Sequence, residues 1–168
     1  MSIRMGNRKT FVAAATITAA LSLAAVTPAL AGTTAPHSAR SAAASTVQGD
    51  PRSTTTRVAN FYGAYIDSIW NNEDPAASAN AKALRAFYLS AAAQNKVAAY
   101  EESEHADGIL FAQNVPVKWK VTYTGSGAGH ATNRVTLTWS DGADAQVSKI
   151  DVQSDLSTLK ITGLKQVG

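Results

Sequence analysis

The densest gathering of ionisable side chains in this 168-residue chain is one short stretch, where Glu101, Glu102, Glu104 and Asp107 surround His105. A histidine beside carboxylates is the raw material of a proton-transfer pair or a metal site. Glu101 and His105 are four residues apart and share a face if the stretch is helical. The same residues also make an ordinary solvated helix end, with His105 at the favourable end of the dipole. The stretch holds one histidine and the chain has no HExxH pair, so no metal is expected. His130, in a glycine-rich segment, reads as an exposed turn residue, or else as part of the mouth of a pocket. Nucleophile chemistry is poorly served. The chain has no cysteine, and Gly125-Ser126-Gly127 is not a Gly-x-Ser-x-Gly elbow. The run Gly125 to Gly129 contains no lysine and precedes a strand, so it is no phosphate loop, and no cofactor is expected.

Whatever positions these groups must come from the periodicity around them. Val58, Phe61, Tyr62, Tyr65, Ile66 and Ile69 recur at three- and four-residue spacing and predict a first helix ending near Asn71 and Asn72. Asp74-Pro75 reads as the cap and first position of a second helix, with Ala81, Leu84, Phe87 and Tyr88 as its buried face. Ser90 caps a third, through Val97 and Tyr100 to about Glu104, with Gly108 ending it. After Pro116 the period changes to two. Val117, Trp119, Val121 and Tyr123 point one way in a first strand, and Val135, Leu137 and Trp139 do so in a second. Asp141-Gly142 signals a hairpin, Ile150 and Val152 mark a third strand, and Leu159 with Ile161 a fourth. Three helices followed by four strands with short connections predict an α+β domain over residues 55–168, its helices packed on one face of an antiparallel meander.

At this point the residues resemble a known group. VANFYGAY over residues 58–65, LRAFYLS over 84–90 and DGILFAQNVP over 107–116 look like small secreted actinobacterial domains of unknown function. Their shape is similar to the cone-like fold of nuclear transport factor 2 and ketosteroid isomerase. The resemblance spans residues 57–167 and implies a curved sheet and a pocket between sheet and helices. Where related domains often carry Asp after the Gln, this chain has Asn114. Enzymes of that shape place an acid and an oxyanion partner inside the cone, but the expected inward strand positions hold no carboxylate. The reading is therefore a non-enzymatic binding domain for a small apolar ligand or a protein partner. Its ligand candidates are Tyr65, Asp107, Gln113, Trp119, His130 and Trp139, with the pocket centred on the two tryptophans. The alternative is a small hydrolase or isomerase pairing His105 or His130 with Asp107.

Charge separates the chain further. Lys118, Lys120, Arg134, Lys149 and Lys160 are expected on the outward sheet face, a patch suited to an anionic wall polymer. The face offers no aromatic side chain for base stacking, so nucleic acid is not expected. The formal charge of +3 has a different origin. Arg4, Arg8 and Lys9 precede an uncharged apolar run over residues 11–26, and Ala29-Leu30-Ala31 presents small residues at both positions read by a signal peptidase. Removing that segment takes away three cations and no acids, which leaves 12 basic residues against 12 acidic ones. Residues 32–54, almost without large apolar side chains, then read as a flexible leader. The expectation is a secreted, neutral protein with no membrane anchor after cleavage. Intact mass of the exported protein should correspond to a chain beginning at Gly32, and a precursor of full length in the medium would contradict that.

Overall fold

A computed structural model describes residues 47–168. The expectations for the export segment and for most of the leader lie outside the described residues. In chain order the elements are α1 (Thr54–Trp70), α2 (Ala77–Tyr88), α3 (Ala91–Glu104), β1 (Lys118–Gly127), β2 (His130–Thr138), β3 (Val147–Asp155) and β4 (Ile161–Val167). The strands form one antiparallel sheet in the order β1-β2-β3-β4. The class is α+β, three helices followed by a four-stranded meander.

Helix α1 forms because its apolar residues return every three or four positions, and Val58, Phe61, Tyr62, Tyr65 and Ile66 are all buried. Ser53 caps it by accepting from the Thr56 N–H. Ser90 caps α3 in the same way through the Ala93 N–H. Two helix ends differ from expectation. Asp74-Pro75 builds a turn, its carboxylate accepting from Ala76 and its carbonyl from Ala77, and α2 starts two residues later with no side-chain cap of its own. Helix α3 stops at His105, which takes the left-handed conformation usually left to glycine (φ 53°). On α2 the expected buried Phe87 is 58% exposed, flanked by Arg57 and Lys160 over its ring. The fully buried residue of that segment is Leu89, just past the helix.

Register explains the sheet's two faces. Trp119, Val121 and Tyr123 lie opposite Leu137, Val135 and Asn133, which in turn oppose Ser148, Ile150 and Val152. This face is buried at its centre against α1 and α3, the core running through Val135, Leu137, Ile150, Val152 and Ile161. The glycine segment after Tyr123 is strand rather than loop: β1 continues to Gly127 past a bulge, and Ala128-Gly129, both at positive φ, make the two-residue turn. Asp141-Gly142 instead sits in a longer loop closed by Trp139 donating to the Gln146 carbonyl. Leu159 is not in a strand. It occupies a left-handed turn position, and β4 begins at Ile161.

Between α3 and β1 the chain makes a compact turn, with Asp107 and Ala112 bridged and Ile109 and Leu110 fully buried between them. Gly108 lies so close to α3 that a Cβ there would sit 2.8 Å from the Val97 carbonyl oxygen. Backbone cannot yield as a side chain can. Gly108→Ala should therefore cost about 1–3 kcal/mol, measured by urea unfolding; an unchanged midpoint would show that the turn is not packed this tightly.

Candidate functional site

The arrangement with most chemistry in it is centred on Arg85 of α2, a residue the sequence reading passed over. Its guanidinium forks onto Glu101 of α3, Nη1 donating to Oε2 at 2.9 Å with Nη2 2.7 Å from Oε1. Nε donates to the Tyr65 hydroxyl of α1 at 3.1 Å, Nη2 also donates to that hydroxyl, and Nη2 lies 3.2 Å from Asp107 Oδ2. Tyr65 passes the network on by donating to Asp107 Oδ2 at 2.5 Å. The second oxygen of Asp107 accepts the Ile109 and Leu110 N–H groups at 2.8 and 2.9 Å. Glu101 Oε1 accepts from the Gly108 N–H at 3.0 Å. One cation thus joins three helices and the turn behind them.

Electrostatics follow from that burial. Tyr65 is 1% exposed. Burial first, and the adjacent Asp107 charge second, push its phenol well above the ordinary value of 10.0. Burial works against the charge on Arg85, but hydrogen bonds to Glu101 and Tyr65 outweigh it, and the pKa rises. Burial would likewise raise Glu101, yet the bonds from Arg85 and the Gly108 N–H prevail and hold it below 4.5. The phenol therefore stays neutral while the guanidinium and Glu101 stay charged.

Above this network α1 and α2 leave a groove of about 550 Å³. Tyr65, buried, and Arg85 and Asp107, half-buried, supply polar lining, and Ile69, Ala77 and Ala81 supply apolar wall. Ser78 and Lys82 stand exposed at its edge. Lys82 has no carboxylate within ion-pair distance among the described residues.

The other sequence candidates fall elsewhere. Gln113 is exposed and donates to the His105 carbonyl, closing the turn. His105 itself is exposed, and its ring does not meet Glu101, whose carboxylate is taken by Arg85 and Gly108. His130 lies at the β1–β2 turn with Nδ1 3.0 Å from the Ala128 carbonyl oxygen. Trp119 and Trp139 do not line the groove. Trp119 sits on edge strand β1 and is 38% exposed, its ring against Gly63, while Trp139 follows β2 and donates to Ser148. Asp107, with its four partners above, bonds to no histidine among the described residues. Of the basic residues, Lys118, Lys120, Arg134 and Lys149 share the outward face by register, joined by Lys165. Lys118 pairs with Asp141 and Arg134 with Asp151. Lys160 is not on that face: it lies before β4 and its ammonium donates to the Phe87 carbonyl at the C-terminal end of α2, where the dipole favours a cation.

Reading only large apolar residues as inward also missed Asn133. It is fully buried on the inner face, its Oδ1 accepting from the Thr55 hydroxyl at 2.6 Å, and this bond pins the start of α1 to β2.

No protein-family model and no curated protein matches the chain. A solved structure of a protein of unknown function from Bacteroides thetaiotaomicron is similar, with a TM-score of 0.56 at 19% identity, over 67% of this chain and 88% of that one. At that identity the likeness is one of fold.

Breaking the network should be felt throughout the helical layer. Arg85→Met leaves Glu101 and Asp107 partly buried without their cation and should cost about 1–3 kcal/mol, less than a fully buried pair because the groups remain partly solvated. Linkage sets the pH window. Glu101, with its folded pKa lowered, contributes stability above pH 4.5 that is lost as pH falls through the lower folded value, whereas Tyr65, with its pKa raised, contributes stability lost as pH rises above 10.0. Melting curves should decline at both ends, with Glu101→Gln flattening the acid side and Tyr65→Phe the alkaline side; parallel profiles for all three proteins would contradict the assignment.

Proposed function

We propose that this chain is an exported, non-enzymatic binding domain whose ligand seat is the groove between α1 and α2. The observation that supports this reading most is that Tyr65, Arg85 and Asp107 of the groove's lining are already committed to one another. A base or nucleophile needs a free lone pair aimed at substrate. Asp107 has both oxygens engaged, the Tyr65 phenol is held neutral, and Arg85 is spread over three partners. Such groups act as a fixed polar surface beside apolar walls, the composition of many small-molecule sites.

The ligand that suits this lining has an apolar body, set against Ile69, Ala77 and Ala81, and one polar or anionic head near Lys82. The signal-like start of the chain supports export and a bacterial origin. The resemblance to the secreted actinobacterial domains, and the order of three helices and a bulged four-stranded sheet, support the cone-like fold.

An anionic naphthalene fluorophore, apolar in body and singly charged, is a direct probe. Its emission should rise on titration with the protein, and Ala81→Trp, which fills the wall of the groove, should suppress the rise while leaving the circular dichroism unchanged. Equal enhancement by the filled variant would place the binding elsewhere and remove the groove as the seat.

A further inference from the structure

The sheet ends unevenly. At β4 the connection between α2 and α3 reaches over the strand, Leu89 bridging Ile161 and the Ser90 N–H donating to its carbonyl at 2.9 Å. At the other end β1 is hydrogen-bonded to β2 alone among the described residues. It is also long, ten residues, and carries Trp119 at 38% and Tyr123 at 51% exposure. Long edge strands with exposed apolar side chains are templates for pairing.

We propose that β1 pairs antiparallel with β1 of a second copy of this chain, about a two-fold axis at Val121. Residues directly opposite in an antiparallel pair lie on the same sheet face, so a self-pairing strand has few usable registers. An axis at Lys120 sets that lysine against its own copy, and an axis at Trp119 sets Lys118 against Lys120; both place like charges opposite each other. An axis at Thr122 or beyond runs into the bulge between Tyr123 and Gly125. The axis at Val121 opposes no like charges and reaches the bulge only at its last pair. Trp119 then meets the partner's Tyr123 and Lys120 meets the partner's Thr122, each twice over, while Lys118 falls opposite the bulge at the partner's Thr124. Aromatic pairs on the inner face and lysine–threonine pairs on the outer face make the edge complementary to itself. A two-fold contact needs that property, since the same patch serves both subunits.

Sedimentation equilibrium of the full chain tests this, with circular dichroism to confirm that each variant is folded. The wild type should pass reversibly from monomer to dimer as concentration rises. Thr122→Lys, an exposed outer-face change that sets a lysine against the partner's Lys120, should weaken the dimer by about tenfold or more. Adding Lys120→Glu to that variant turns each repulsion into an attraction and should restore the dimer. A protein monomeric at every concentration would overturn the proposal. So would a dimer indifferent to Thr122→Lys, or one that the second change fails to rescue.

Discussion

Two carboxylates and a phenol inside the helical layer must all be met by one guanidinium, and the geometry of the layer depends on that requirement. Arg85 reaches Tyr65, Glu101 and Asp107 only if α1, α2, α3 and the turn after α3 keep their relative positions. Arginine suits the task because its planar fork offers several donors in fixed directions, and a lysine would supply a single point of charge. Partial burial raises the stakes. Each member is tolerable out of water because the others satisfy it, and removal of one leaves the remainder exposed to the cost of desolvation.

The network does two jobs through the same bonds. Asp107 holds the Ile109 and Leu110 amides, and that sets the turn which buries both apolar side chains in the core beneath Tyr62. The Tyr62 hydroxyl completes the lock by donating to the Ile109 carbonyl at 3.1 Å. On its other side the same network gives the α1–α2 groove a rigid polar base. A site whose supporting groups are fixed by their own hydrogen bonds loses little freedom when a ligand arrives.

Much of the fold was legible because periodicity is written residue by residue. Val58 to Ile66 on α1 announce their face through spacing, and the alternation from Val135 to Ile150 does the same for the sheet. What spacing could not show is which element covers a residue. Trp119 and Tyr123 obey the inward alternation of β1, yet β1 is an edge strand and both remain exposed. Phe87 lies on the apolar stripe of α2 but stays exposed, its ring met by Arg57, Lys160 and the neighbouring Tyr88. The glycines after Tyr123 resembled a loop because backbone pairing, which keeps them in β1, leaves no mark on composition.

The site was legible by half. Tyr65 and Asp107 stood among the candidates, and the acidic stretch from Glu101 to Asp107 drew attention at once. His105, its sequence neighbour, is an exposed helix end as the spacing allowed, and the partner of the stretch is Arg85, sixteen residues before Glu101. The available signal was Arg85's place on the row Ala77, Ala81, Arg85, one helical turn apart and facing α1. A lone arginine on an apolar row needs a carboxylate partner, and Glu101 and Asp107 of the acidic stretch, both half-buried, supply it. The most direct measurement is native-state hydrogen exchange at the Gly108, Ile109 and Leu110 amides, whose acceptors are the Glu101 and Asp107 carboxylates. If the Arg85 network locks the turn, these amides exchange as slowly as those of Val135 and Leu137 in the central sheet; exchange at the rate of an exposed loop would contradict the account.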